Sequence, residues 1–506
     1  MALDPSTPVL IGAGQVTDRN TDLDRACSRL DLMEAAARLA AEDARLPAAA
    51  LARLERVVVI PPFPRDWMDN PPEALAARLD CSSARGFVAA VGGCFPQALV
   101  NQSAEAIARG QLGFVLLAGA EAEDTRARFR KRGDKPTHWR VESETRPETI
   151  DEVDGSVVTS RAEAAHGLGA PAIIYPMFET ALRHHYGRSI EDHRQRMGSL
   201  CASLARVAAD NPLAWFQQAP SPDEITLPSD DNRYVAYPYT KRMNAMPRVN
   251  QAATLLMTSV ERARAMGVPE ERRVFLHGCG DAHDHWHVSR RVDYHSSPAI
   301  RAIGQTALSM AGLGIGDIDA LDIYSCFPVA VEIGRDMLGI AEDDPRPLTV
   351  TGGLPYFGGP GNNFAMHSIA TMMDRLRAQP GTTGLVTGNS YYLSKHSVGI
   401  YSTRPAQRRW QRRDPAEDQA RVDAEPGPEV AEQPDGIGAI EAYSVGYNRE
   451  REPERGYVLG RLEDGRRFVA HTVQDPAVLA SLVERDAVGV RGRVTSEGEL
   501  NRFAPL

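Results

Sequence analysis

The chain has 506 residues, 42% of them hydrophobic, and a formal net charge of −10. That length exceeds one ordinary core and predicts two or three domains. The acidic balance excludes a protein built as a whole for nucleic acid, and no apolar run is long enough to span a bilayer. The opening Met1-Ala2-Leu3-Asp4-Pro5 carries no basic patch before an apolar segment, so no secretory signal is read there. Cys27, Cys81, Cys94, Cys201, Cys279 and Cys326 form no CxxC pair, which points to free thiols in a reducing cytoplasm.

Residues 8–15 read as a buried strand leading into a helix at 32–43; strands at 57–60 and 87–91 flank a helix at 72–79. The alternation predicts an α/β domain with a largely parallel sheet. In Val91-Gly92-Gly93-Cys94-Phe95-Pro96, Pro96 suits the first helical turn, and Leu99, Ala106 and Ile107 recur at helical spacing up to a stop at Gly110. Cys94 therefore heads a helix. A helix dipole there favours a thiolate nucleophile, while the plain alternative is a small buried cysteine at a tight turn. Residues 121–248 turn charged and Pro-rich between amphipathic helices at 176–186 and 192–211, as a helical insertion would. A strand at 250–257 and a helix at 260–266 return to the first sheet.

The pattern then restarts: a strand at 273–280, a helix at 298–311, a strand at 320–325, a glycine-rich loop at 351–361, a helix at 366–376 and a strand at 384–389. Two halves of similar order suggest an internal duplication. Residues 406–435 read as a charged, Pro-rich linker. Five strand-like segments follow between 438 and 503, with Asp464-Gly465 as a hairpin turn and a helix at 476–484 after the third, the order of an OB-fold barrel.

Several segments together resemble the thiolase superfamily. They are Gly93-Cys94 with its helix, Val115-Leu-Leu-Ala-Gly-Ala-Glu121, Asn250-Gln-Ala-Ala253, Tyr324-Ser325-Cys326-Phe327, and Gly352-Gly353 running to Gly358-Gly359-Pro360. The third resembles the family's N-D-G-A-A strand, the fourth the H-D-C-F segment of SCP2-type thiolases, and the last the G-H-P loop. Thiolase-like proteins described as acetyl-CoA acetyltransferases, some with an added C-terminal domain, are the nearest kind. The resemblance implies duplicated αβ halves in α-β-α-β-α layers, with an inserted loop domain and a small C-terminal barrel. The expected divisions are 1–120 with 249–270, 121–248, 271–405, the linker 406–435 and the barrel 436–506.

The departures are as informative. Counting back from Gly110, the family's nucleophilic cysteine aligns with Gly93, the G-H-P histidine is Gly359, the residue before the acid-lined loop is Tyr324, and the second cysteine is missing near Thr387-Gly388-Asn389. The expected activity is thus acyl-CoA-dependent acyl transfer by an altered mechanism. Cys94 would be nucleophile, His396 its base or a satisfied loop histidine, Tyr324 a donor to the thioester oxygen or a packing residue, and Asn389 an oxyanion donor or a turn residue. Gly93, Gly358, Gly359 and Ser325 are the expected substrate-binding positions. No cofactor is expected to be permanently bound; coenzyme A or an acyl-CoA is substrate. The alternative is a catalytically degenerate acyl-CoA-binding or scaffold protein using the C-terminal module for protein contacts. A homodimer is the other partner the family implies.

His283-x-His285-x-His287, with His277 and Cys279 nearby, has the look of a metal cluster, but no carboxylate or CxxC completes it. With thiolase chemistry using no metal, no metal is expected, and the histidines are read as a polar rim loop. The barrel lacks a basic-aromatic ladder, so nucleic acid is not an expected partner.

Overall fold

The computed structural model describes residues 3–63, 68–151, 153–406 and 408–506. Met1 and Ala2, and Gln407 within the expected linker, lie outside the described residues.

Ten strands form one mixed sheet made of two similar parts. In the first, the strand Pro8–Thr17 pairs with Asn250–Ser259, which pairs with Phe114–Ala122, followed by Arg56–Val59, Arg85–Ala89 and Glu148–Ile150. In the second, Val274–His283 pairs with Lys395–Ser402, then Thr383–Ser390 and Ala320–Asp322. Val9 and Leu10 opposite Phe275 and Val274 join the parts.

The helices Phe95–Ala108 and Phe364–Ala378 share one core with Leu117, Leu255 and Met257 of the first part and Leu276, Val386 and Tyr401 of the second. The helix Arg29–Asp43 covers the outer face of the first part, and Pro298–Ala311 that of the second. This is the layered α-β-α-β-α order that the sequence leads one to expect.

The duplication is written in glycines. A methyl group on Gly12 would lie 2.0 Å from the Ala40 carbonyl oxygen, and one on Gly278 would lie 2.0 Å from that of Ala307. Gly14 against Ala36 and Gly280 against Ile303 repeat the contact two residues along each strand. Each outer helix therefore rests directly on strand backbone, an approach that any side chain would prevent.

The strand Lys395–Ser402 is not expected from the sequence, which leaves its residues as a loop. Its Val398, Ile400 and Tyr401 are all buried, but Lys395 and His396 at its start hide the apolar run. The stretch 406–435 is also more than a linker. Trp410 is buried, and the helix Pro415–Asp423, capped by Asp414, buries Asp418 and Val422 against the second half. Asp418 accepts a hydrogen bond from Thr306 at 2.7 Å.

The last five strands, Gly436–Tyr447, Pro453–Leu462, Arg467–Thr472, Arg491–Glu497 and Leu500–Pro505, close into a barrel. The first pairs with both the second and the fourth, and the third runs parallel to the fifth. The helix Pro476–Glu484 falls after the third strand, as the OB-fold order requires.

The barrel is part of the body. Tyr234–Tyr237 of the insertion extends its sheet by pairing Ala236 and Tyr237 with Gly446 and Val445. Thr180 donates its hydroxyl to the Tyr443 carbonyl at 2.8 Å, and the Asn501 N–H donates to His166 Nε2 at 2.8 Å. Buried Arg467 donates to the Ser289 carbonyl at 3.1 Å and to Glu441 at 2.6 Å.

Gly14→Ala should destabilise the protein by about 1–3 kcal/mol in urea unfolding, because the added methyl must displace a helix. Gly316→Ala, where nothing lies within 4 Å, should change stability by no more than about 0.5 kcal/mol.

Candidate functional site

Cys94 stands at the N-cap of the helix Phe95–Ala108, as its spacing from Pro96 leads one to expect, and it is fully buried. The helix head is pressed against the strand Thr383–Ser390. A methyl group on Gly388 would lie 2.8 Å from Cys94 Cα, and Ser390 Oγ accepts the Cys94 N–H at 2.9 Å. Burial pushes the Cys94 thiol up to about 11, against the opposing pull of the Lys395 ammonium and the hydroxyls of Ser390 and Ser397. Lys395 itself lies over the Phe95 ring, 4.6 Å from its centroid.

Side chains alternate across a strand, and this period decides which expected residues reach the thiol. Along Lys395–Ser402, Ser397 reaches Cys94, a methyl on Gly399 would strike Gln97, and Tyr401 donates to Gln97 Oε1 at 2.7 Å. His396 is on the opposite face. Its Nε2 lies 3.0 Å from the Leu393 carbonyl and 3.4 Å from Asp284 Oδ2, and it lines a cavity with Ile300 and Ile303. The structure thus places His396 away from Cys94 and corrects its expected part as base.

Asn389 is displaced by the same rule. Its neighbours Gly388 and Ser390 meet Cys94, whereas its own amide donates to the Tyr175 hydroxyl at 2.9 Å and lies 3.7 Å from Cys326 Sγ. Tyr175 stacks on Phe327 with ring centroids 4.4 Å apart. Tyr324 does come near. A methyl group on Gly93 would lie 2.1 Å from its hydroxyl, so that hydroxyl covers the position where the family's cysteine aligns. Burial holds the phenol well above its ordinary range. The space among Tyr324, Thr387, Gly388, Asn389 and His396 is about 20 Å³, room for about one water.

The expected substrate-binding positions Ser325, Gly358 and Gly359 make contacts within the chain. Ser325 Oγ accepts the Leu354 N–H at 3.2 Å, fixing the glycine-rich loop. Gly358, at φ +113°, passes over Gln251, and the Gly359 N–H donates to the Met246 carbonyl at 2.9 Å. His285 Nε2 lies 3.0 Å from the Glu425 carbonyl, and His283 stacks on Trp286 with centroids 4.5 Å apart. Among the described residues this histidine run does not gather into a group able to hold a metal.

Two buried acids organise the region: Asp284, which the sequence reading passes over, and Glu121, which closes the segment Val115-Leu-Leu-Ala-Gly-Ala-Glu121. Asp284 sits inside the histidine run and takes hydrogen bonds from Ser297 and from the Ala299 N–H at 3.1 Å, with the Arg291 guanidinium 3.4 Å away. Burial alone would raise its pKa, but Arg291, His396 and Ser297 bring it down to about 2. Glu121 accepts from Arg29 at 2.8 Å and from the Phe63 N–H at 2.6 Å beneath Gly361, and burial pushes it up to about 7. Asp284 belongs to no periodic or glycine-rich motif, so only the three-dimensional contacts reveal it.

A duplicated five-layer body with a helix-heading cysteine, an insertion and an added barrel defines a thiolase-fold protein. The model of the "Thiolase C-terminal domain-like" family matches residues 280–360, and that of the "Thiolase-like protein type 1 additional C-terminal domain" matches residues 418–499. The crystal structure of a monomeric SCP2-thiolase-like protein type 1 from Mycobacterium smegmatis is similar over 100% of both chains, at 35% identity and a TM-score of 0.86. The chain therefore belongs to the SCP2-thiolase-like protein type 1 family of the thiolase superfamily. An Ltp2-ChsH2(DUF35) aldolase matches 79% of this chain and 98% of its own, at 20% identity and a TM-score of 0.59. The dimeric peroxisomal thiolase of Saccharomyces cerevisiae matches the same shares at 14% identity and a TM-score of 0.53. These last two share the fold. No curated protein matches the chain in sequence. Among the described residues, no helix is long and apolar enough to cross a membrane.

Because Asp284 titrates near 2 when folded against 3.8 in its ordinary state, its contribution to stability is present above about pH 4 and is lost as the pH falls towards 2. Asp284→Asn should cost about 3–5 kcal/mol at pH 7, since it leaves Arg291 buried without its partner. The same variant should show a flatter stability profile below pH 4, read by chemical denaturation across pH.

Proposed function

We propose that this chain is a non-covalent binding or scaffold protein on a thiolase fold, and that it does not transfer acyl groups through Cys94. The burial of the Cys94 thiol carries the reading. A thiol held at about 11 is a thiolate in only about one molecule in ten thousand at pH 7. The base expected for it, His396, faces the other side of the sheet, where it lines a cavity of about 20 Å³ with Ile300 and Ile303. The Tyr324 hydroxyl over Gly93 closes the position from which the family's cysteine would attack.

The competing reading, acyl transfer through Cys94, rests on the helix head and on Ser390, Ser397 and Lys395, all of which draw the thiol towards ionisation. Intact-protein mass spectrometry after mixing with acyl-CoAs of several chain lengths separates the two. The scaffold reading predicts no acyl adduct on the wild-type chain. An adduct that disappears in Cys94→Ala would establish covalent transfer and end it.

A further inference from the structure

A second buried cluster lies where the helices Pro171–His185 and Ile190–Asp210 of the insertion meet the helix Pro328–Met337 of the second half. It consists of Glu179, His193 and Glu332, exposed by 0%, 1% and 2%. One ligating atom from each lies within 4.8 Å of the others. His193 Nε2 is 2.6 Å from Glu179 Oε1, and Tyr239 donates its hydroxyl to Glu179 Oε2. Two atoms of the cluster, Glu332 Oε2 and His193 Nδ1, have no hydrogen-bond partner. A cavity of about 40 Å³ opens beside it, lined by Glu179 and His193 with Thr226 and Tyr237, and by the guanidinium side chains of Arg183 and Arg194.

Charge balance identifies what fits. The neighbouring guanidinium groups pair with other acids, Arg183 with Asp486, Arg188 with Glu342 and Arg335 with Asp336, although Arg183 and Arg335 also favour the charged forms of Glu179 and Glu332. Two adjacent carboxylates in a buried site cannot both stay charged unless a cation joins them. Burial, then the charge of Glu179, pushes the Glu332 carboxyl well above its ordinary range. Buried polar atoms without partners are rare in folded proteins, and an ion is one of the things that satisfies them.

We propose that Glu179, His193 and Glu332 form a binding site for a divalent transition-metal cation of the zinc class. Two carboxylates neutralise its charge and the imidazole supplies the nitrogen donor that favours zinc over magnesium or calcium. Three protein ligands leave a coordination position open to the adjoining cavity, where a water completes the shell. Tyr239, which also accepts the Val329 N–H at 3.3 Å, orients Glu179 from behind. The ion ties the insertion to the second half. The site is independent of the Cys94 region and of the His283-x-His285-x-His287 run.

The full-length chain, stripped with a chelator and dialysed, is titrated with Zn²⁺ by calorimetry and with Co²⁺ by visible absorption. One equivalent should bind, releasing protons and raising Tm, with the Co²⁺ form showing ligand-field bands. Glu332→Gln replaces the carboxyl by a neutral amide of the same shape, removing the ligand oxygen without changing the packing. It should therefore keep the Tm of the stripped wild type while weakening Zn²⁺ binding by about 100-fold. His193→Gln should weaken it similarly. No stoichiometric uptake by the wild type, or unchanged affinity in both variants, would overturn the site.

Discussion

The close approach of the Cys94 helix head to the strand Thr383–Ser390 is the constraint on which the central region depends. It needs a residue without a side chain at Gly388 and a hydroxyl at Ser390 to take the Cys94 N–H. Once those are in place, the thiol is sealed between the two halves, and burial outweighs the helix dipole, Lys395 and two hydroxyls in setting its protonation. A helix head that favours a thiolate in an open cleft works against burial in a closed one. Location at a helix terminus lowers a thiol's pKa only where solvent or a fixed charge can share the cost of ionisation.

The second half is held by a different device. Asp284, at the end of Val274–His283, gathers Arg291, Ser297, the first turn of Pro298–Ala311 and His396 around one buried charge. His396 thereby faces an acid, its Nε2 3.4 Å from Asp284 Oδ2. The barrel adds a third level of closure by docking on the insertion through Thr180, His166 and Arg467. The insertion is thus clasped between the body and the barrel.

Much of this architecture was legible in the chain, and the reasons are local. The duplication, the helix at 298–311 and the five barrel strands announce themselves through periodicity, Pro and Gly punctuation and a clear hairpin at Asp464-Gly465. The strand Lys395–Ser402 stayed hidden because a lysine and a histidine open it, and with it went the face on which His396 lies. A one-residue period error is enough to move a side chain across a sheet. The helix Pro415–Asp423 was masked by charge, although Val422 and Trp410 are buried. Asp284, Glu121 and the trio Glu179, His193 and Glu332 are assembled from distant segments, so no spacing within the sequence could join them.

The state of the Cys94 thiol can be titrated directly. In a variant whose other five cysteines are replaced by serine or alanine, thiolate absorbance and the rate of alkylation would be followed from pH 6 to 12. The closed site predicts protection at neutral pH and ionisation near 11 in the folded protein. Rapid alkylation at pH 7 with an ionisation below 8 would mean an open, activated cysteine, and would contradict it.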